Sequence, residues 1–144
     1  ADEEALTVSV KRLTLDTATR IAQGAIKSCR DKGIQIGVPV VDRNGIPQVM
    51  LRDTLAPEIT LRISKGKASA AANFSADTRA LVSRANTAIG RVPGLVMSTG
   101  GVLVQAGGVL YGAVGVSGAP SGETDEECAK AGLDSVLEDL EMAM

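Results

Sequence analysis

Two short glycine-containing turns, each joining two runs of apolar and β-branched residues, constrain the fold of this chain more than any other feature. The four runs are residues 34–41, 46–51, 102–105 and 109–116, and the turns contain Asn44-Gly45 and Gly107-Gly108. Asparagine and glycine tolerate the positive φ angles of tight hairpin turns. Because the two strands of a hairpin are antiparallel, the pattern excludes a doubly wound parallel sheet and predicts an α+β fold.

The segments on either side of the first hairpin carry helical patterns. Before it, Thr14 is suited to cap a helix that ends before Gly33. The apolar positions of this helix follow helical spacing: Leu15, Ala18, Ala22, Ala25, Ile26 and Cys29. After the hairpin, Pro57 suits the first turn of a second helix, in which Arg62 and Lys65 lie away from the apolar face.

Two more helices are predicted in the second half of the chain. Residues 75–77 are suited to cap a helix that continues through Ala85. Thr124 and Glu127 have the spacing of a capping box, which predicts a final helix that runs to about Leu140.

The N-terminal residues predict one more strand. Leu6, Val8 and Val10 alternate with polar residues, which is the pattern of a half-buried strand. The predicted order is therefore β-α-β-β-α-α-β-β-α, with a single antiparallel sheet of about five strands that carries the helices. Residues 1–11 then form an N-terminal extension with the first strand, and residues 12–144 form one domain.

The composition excludes several classes of function. The chain contains no His and no Trp, with one Phe and one Tyr, and its net charge is −2. Without His it has no Ser–His–Asp triad and no His-based metal site, and we expect no bound metal ion. Few aromatic residues and no excess of positive charge leave no basis for binding nucleic acid. The apolar runs are interrupted too often to span a membrane.

The net charge conceals two oppositely charged segments. Residues 52–91 carry seven basic and three acidic side chains, whereas residues 117–144 carry one basic and eight acidic side chains. Such segments favour self-assembly, or a basic surface that binds an anionic ligand. They are equally compatible with two solvated helix faces.

The cysteines and the first residues bear on the cellular compartment. Cys29 and Cys128 fall on the apolar stripes of predicted helices. They can form a disulfide, but two buried free thiols are the more common arrangement at such positions. The first five residues read ADEEA, of the kind that signal-peptide cleavage leaves. This start predicts a periplasmic or secreted protein, with a cytoplasmic location as the alternative.

A family resemblance rests on the glycine-rich second half of the chain. Residues 100–104 read GGVLV, residues 112–119 read GAVGVSGA and residues 125–132 read DEECAKAG. Together with VVDRNG at 40–45, this order resembles the GlcG/HbpS family, also described as the haem-degrading or PduO C-terminal-like domain. The resemblance covers about residues 12–140.

The resemblance implies a PAS- or profilin-like α+β domain that forms homo-oligomers and binds haem or another tetrapyrrole. Its implied role is haem handling or redox sensing beside a sensor protein. Some members of the family use a His as the suspected haem ligand, and this chain has none. It also has Leu103 where the family has proline.

The resemblance places the ligand between the basic helix after Pro57 and the glycine-rich strands, and it assigns no catalytic residue. The implied ligand-binding residues are Arg52, Arg62, Lys65, Tyr111, Met97 and Thr99, with Met50 and Lys67 as further candidates. The main alternative is an oligomer without haem that binds a small ligand or acts as a scaffold in alcohol or organic-acid catabolism. An enzyme acting on a small organic acid is a third possibility that rests on family context alone.

Overall fold

Four antiparallel strands form one open sheet. In the computed structural model, which describes residues 4–143, the strands are β1 (Gly37–Asp42), β2 (Pro47–Arg52), β3 (Gly101–Ala106) and β4 (Val109–Gly115). Their order across the sheet is β2-β1-β4-β3, so both predicted hairpins are present and lie side by side. The prediction of an α+β fold with a single antiparallel sheet is confirmed.

Three α-helices cover the two faces of the sheet. They are α1 (Leu15–Asp31), α2 (Ile59–Phe74) and α3 (Gly122–Met142). Helix α1 begins as predicted, because the Thr14 side chain accepts a hydrogen bond from the Thr17 amide at 3.2 Å. Leu15, in its first turn, is exposed rather than part of the apolar stripe. Within residues 4–143, no helix combines the length and the apolar character needed to cross a membrane.

The sheet separates two unequal apolar layers. On one face, strand valines such as Val38, Val104 and Val114 pack against α1 and α3 in the largest core cluster. On the other face, α2 packs through small residues, with Ala68 against Ala113 and Val41. Helix α2 lies very close to β4, since a Cβ atom on Gly115 would clash with the backbone of α2. This alanine-rich layer is therefore thin and closed.

The prediction of an N-terminal strand is wrong, and the sheet has four strands rather than five. Residues 6–10 are exposed and belong to no strand, and the Leu6 and Val8 side chains are 100% and 85% exposed. Their alternating pattern is that of a strand, but no neighbouring strand of this chain pairs with it in the described residues. A strand needs a pairing edge as well as a pattern.

The prediction of a helix after Ser75 is also wrong. Residues Thr78–Arg84 and Ile89–Arg91 form short 3₁₀ turns instead. The Asp77 carboxylate accepts a hydrogen bond from the Leu103 amide at 2.9 Å, and the Thr78 hydroxyl accepts one from the Gly101 amide at 2.8 Å. The Asp77 side chain, expected to help cap a helix, therefore binds the free edge of β3 together with Thr78.

The final helix is capped three residues earlier than predicted. Ser121 is its N-cap, and its hydroxyl accepts a hydrogen bond from the Thr124 amide at 3.2 Å. Thr124 is thus a first-turn residue of α3 rather than its cap. The helix itself, and its end near Leu140, agree with the prediction.

The cysteines form a disulfide, so the preference for free thiols is wrong. Cys29 of α1 and Cys128 of α3 are joined, with a Cα–Cα distance of 5.7 Å and a sequence separation of 99 residues. Both are fully buried. The two cysteine positions on apolar stripes meet because α1 and α3 pack against each other on the same face of the sheet.

A buried ion pair joins the helix layers on opposite faces of the sheet. The Lys67 ammonium group of α2 donates hydrogen bonds to the Asp125 carboxylate of α3 and to the Val116 carbonyl, each at 2.9 Å. The two charged side chains are only 4% and 6% exposed. Burial raises the pKa of Asp125, and the Lys67 charge partly opposes that rise.

We expect reduction of the disulfide to destabilise the protein by about 2–5 kcal/mol, because the bond closes a long loop and restricts the unfolded chain. Urea unfolding with and without dithiothreitol measures the change. The double variant Cys29→Ala/Cys128→Ala is the control, and reductant should not affect it. An identical unfolding midpoint for the wild type in both conditions would contradict a stabilising disulfide.

We expect Lys67→Met to lower the free energy of unfolding by about 3–5 kcal/mol, because it leaves the Asp125 charge buried without a partner. Adding Asp125→Asn should recover part of that cost, since the amide oxygen can still accept the Ala119 amide hydrogen bond and carries no charge. Urea unfolding of the two single variants and the double variant measures the coupling. Arg62→Met, which removes an exposed ion pair with Glu58, is the control and should change stability little. If the double variant loses as much unfolding free energy as the two single variants together, the proposed coupling between Lys67 and Asp125 is contradicted.

Candidate functional site

An open apolar groove lies between the outer face of α2 and the irregular segment that precedes β3. Helix α2 contributes Ser69, Asn73 and Phe74, and residues 92–95 form the opposite wall. The volume of this groove, here named the α2 groove, is about 390 Å³. Segment 92–95 comes close to α2 because residue 66 is a glycine, whose missing side chain leaves room for Val96.

Met97 lies in the apolar cluster that adjoins this groove. It is 3% exposed and packs in a cluster with Ala70 and Leu81, against which Phe74 and Leu95 also pack. Phe74 and Leu95 belong to the groove wall as well. Met97 is therefore a neighbour of the groove, although little of its side chain is exposed.

Thr99 lies close to the start of α3. It is half-buried, and the Gly122 backbone approaches it so closely that a Cβ atom there would be only 2.9 Å from the Thr99 carbonyl oxygen. Thr99 follows Met97 by two residues. Met97 therefore lies beside α2, whereas Thr99 lies against the start of α3.

Two predicted basic residues continue the line of the groove along α2. Lys65 lies one turn before Ser69 on the same helix face, and Arg62 lies one turn earlier. The Arg62 guanidinium donates hydrogen bonds to both carboxylate oxygens of Glu58. Lys65 is exposed and takes part in no ion pair within the described part of the chain. Lys65 is therefore a cation that is available to an anionic ligand one helical turn from the groove.

The structure places Tyr111 on the other side of the sheet. Tyr111 is 5% exposed and packs in the core cluster beneath α1 and α3, whereas Ala113 faces α2. Strand alternation alone would put residues 111 and 113 on the same face of the sheet, and the structure puts them on opposite faces. The pairing of β3 with β4 shifts after Val104, which leaves Tyr111 as the extra residue of a β-bulge.

The remaining predicted residues also lie away from the α2 groove. Arg52 is exposed at the end of β2 and lines a groove beside α1. Met50 is 40% exposed on the same strand. Lys67 is buried against Asp125 and has no exposed charge to offer a ligand.

Ion pairs within the chain neutralise part of the oppositely charged segments. Besides Lys67–Asp125, Arg79 forms hydrogen bonds with both carboxylate oxygens of Glu126. These bonds hold the pKa of the Glu126 carboxyl below its usual range, and Lys130 adds to the effect. Sequence analysis did not identify these partners, because each pair joins residues about fifty positions apart. No cluster of three or more metal-ligating side chains is found among residues 4–143.

Solved structures with the same fold include proteins related in sequence. A double mutant of HbpS from Streptomyces reticuli is 34% identical, with 94% of each chain covered and a TM-score of 0.85. Protein ORFY of Klebsiella pneumoniae is 25% identical over 92% of this chain and 96% of that chain, with a TM-score of 0.84. The haem complex of PduOC shares the fold at 21% identity, with 87% and 95% of the two chains covered and a TM-score of 0.79.

The remaining comparisons concern sequence. A search of curated proteins finds no significant match. A family model described as "Haem degrading protein HbpS-like" matches residues 13–134, which span both hairpins and most of α3. The chain therefore belongs to the HbpS-like family of haem-degrading proteins.

Proposed function

We propose that this protein binds haem, or a related tetrapyrrole, in the α2 groove, and that it acts in haem handling or redox sensing. Membership of the HbpS-like family supports a haem-related function. The structural similarity to PduOC, solved as a haem complex, is consistent with the same class of ligand. The proposed location of the haem rests on one observation, the α2 groove with an unpaired lysine on the same helix face.

The residues around the groove suit a flat, apolar ligand that carries carboxylates. A volume of about 390 Å³ lies within the usual range of small-molecule sites. Phe74, Val92 and Leu95 supply apolar contacts. Lys65, one turn before Ser69 on α2, would supply a positive charge for a propionate at the end of the groove. The groove therefore matches both the apolar ring and the acidic edge of a porphyrin.

A chain without His offers few side chains that could coordinate haem iron. Both cysteines are in the disulfide, and Tyr111 is buried on the opposite side of the sheet. Of the remaining candidates, Met97 packs beside the α2 groove, and Thr99 lies two residues further along the chain, against the start of α3. Bound haem would supply an iron centre whose reactivity depends on which of these side chains, or none, coordinates it.

The open groove also supports assembly of the protein into a homo-oligomer. Residues 92–95 and α2 cover only one side of a flat ligand, and the nearby Ile89 and Val92 side chains are substantially exposed. A second copy of the chain would cover the other side and bury these apolar groups. We propose that haem binding and subunit contact involve the same surface.

The alternative function is a homo-oligomer without haem that binds another small ligand or acts as a scaffold. The absence of His favours this alternative, because His is the most common protein ligand of haem iron in binding proteins. It shares the groove and the proposed oligomer with the first proposal. Haemin binding therefore distinguishes the two.

We expect haemin to bind saturably with one haem per subunit or per dimer, and Lys65→Ala to raise its Kd about tenfold through loss of a charge-assisted contact. Titration of the purified protein, followed by the Soret absorbance, measures both. Arg20→Ala is the matched control, because Arg20 is an exposed cation on α1 that pairs with Asp139 away from the groove.

A second variant tests the ligand assignment. Met97→Leu conserves the apolar volume, so a change of the Soret band with retained folding would identify Met97 as an iron ligand. A weak, non-saturating response of the wild type, similar to that of albumin, would contradict haem binding and favour the alternative function.

We also propose that the protein is exported to the periplasm or secreted. The buried disulfide supports this location, because disulfides persist in oxidising compartments and are rare in the cytoplasm. Cells of the source organism, fractionated after thiols are blocked with N-ethylmaleimide, should contain the oxidised protein outside the cytoplasmic fraction. Recovery of the reduced, alkylated protein from the cytoplasm would contradict export.

A further inference from the structure

We propose that residues 4–10 of one copy of this chain pair, as an additional strand, with the free edge of β2 in a second copy. These residues are here named segment 4–10. The contact would join the two copies through main-chain hydrogen bonds, which is how an extended chain adds to an exposed sheet edge. It uses a different surface from the α2 groove and does not rest on haem binding.

Segment 4–10 has the pattern of a strand, and every one of its residues is exposed. Leu6, Val8 and Val10 alternate with polar residues and are 100%, 85% and 58% exposed. Valine and threonine also favour the extended backbone of a strand. Exposed apolar side chains that are grouped in this way favour contact with another molecule. The segment is therefore suited to form a strand once a sheet edge is available to it.

Of the two outer strands of the sheet, β3 already has partners along its edge. The Asp77 side chain accepts a hydrogen bond from the Leu103 amide, and the Thr78 side chain accepts one from the Gly101 amide. Strand β2 is the other outer strand, and within residues 4–143 no strand pairs with its outer side. An uncovered sheet edge is a place where another extended chain can add. The edge of β2 is therefore the one that is open to a further strand.

The register of the first hairpin shows which backbone groups of β2 face this open edge. The Gly37 amide and carbonyl both form hydrogen bonds with Ser117, on the side of β1 away from β2. Arg52 is the partner of Gly37 across the hairpin, so its own amide and carbonyl point away from β1. Met50, two residues earlier, has the same direction. Met50 and Arg52 are also the exposed residues of β2, so their backbone groups are available to an added strand.

The path of the chain leads segment 4–10 away from the edge of its own β2. Leu13 is buried, and its carbonyl accepts a hydrogen bond from the Gln48 side chain at 2.7 Å, near the start of β2. Residues 10–12 then lie beside Asn44 in the hairpin turn. Traced from Leu13 toward residue 4, the chain thus runs toward the turn and away from the far end of β2. We therefore place the segment on β2 of a second copy.

The charges of the two surfaces are complementary. Glu4 is exposed at one end of the segment, and Arg52 is exposed at the end of β2. Neither side chain takes part in an ion pair within the described part of the chain. The Arg52 guanidinium donates one hydrogen bond to the Ala56 carbonyl, at 2.6 Å, and keeps other N–H donors that can bind a carboxylate. Opposite charges near the contact favour encounter of the two copies.

The test compares hydrogen–deuterium exchange of the wild type and of Thr7→Pro/Val8→Pro by NMR. We expect the Met50 and Arg52 amides to exchange about tenfold more slowly in the wild type, because the pairing protects them. Proline has no N–H, and neighbouring residues of a strand direct their N–H groups to opposite sides. One of the two substitutions therefore removes a donor to β2 in any register. Thr7→Ser/Val8→Ile, which keeps both amides and the alternation, is the matched control and should exchange as the wild type does.

A mixture of isotope-labelled and unlabelled wild-type chains tests whether the partner is a second copy. We expect isotope-filtered NOEs between the Leu6 and Val8 methyl groups of one chain and β2 protons of the other. Equal exchange in the wild type and the folded double-proline variant would overturn the proposal, and would be the result if β2 paired with β2 of another copy or if copies met only at the α2 groove. Slow exchange without intermolecular NOEs would also overturn it, since the segment would then lie on its own chain.

Discussion

The ion pair between Lys67 and Asp125 is the contact on which the arrangement of the two layers depends. It is buried, and it links α2 on one face of the sheet to the first turns of α3 on the other. Lys67 also binds the Val116 carbonyl, while Asp125 accepts the Ala119 amide, so the pair organises the chain between β4 and α3. Since buried charges are costly unless both partners are present, neither layer can shift without exposing an unpaired charge.

The elements that local sequence determines were predicted, and those that need a distant partner were not. Hairpin turns and the Thr14 cap are set by residues within a few positions of one another, and both are present. Residues 6–10 have the pattern of a strand but find no edge, and Asp77 binds β3 instead of capping a helix. The Cys29–Cys128 disulfide depends on the packing of α1 against α3, which periodicity alone cannot reveal.

The candidate site was predictable to a similar extent. Helical spacing placed Arg62 and Lys65 away from the apolar face of α2, where they lie. The groove itself exists because segment 92–95, which has no regular periodicity, crosses α2 at a glycine. Alternation along β4 could not predict which face of the sheet Tyr111 lies on, because one extra residue at a bulge reverses the side to which the neighbouring side chains point.

Packing on both faces of the sheet explains why the proposed haem site lies on the outer surface. Helix α2 contacts the sheet through alanine and glycine, and α1 and α3 are joined by the disulfide over a valine-rich layer. Neither interior has room for a flat ring the size of a porphyrin, so the haem that we propose would lie outside α2, where this chain provides one wall. If a second copy provides the other wall, ligand and subunit contact stabilise each other by linkage, and affinity for the ligand will rise with protein concentration.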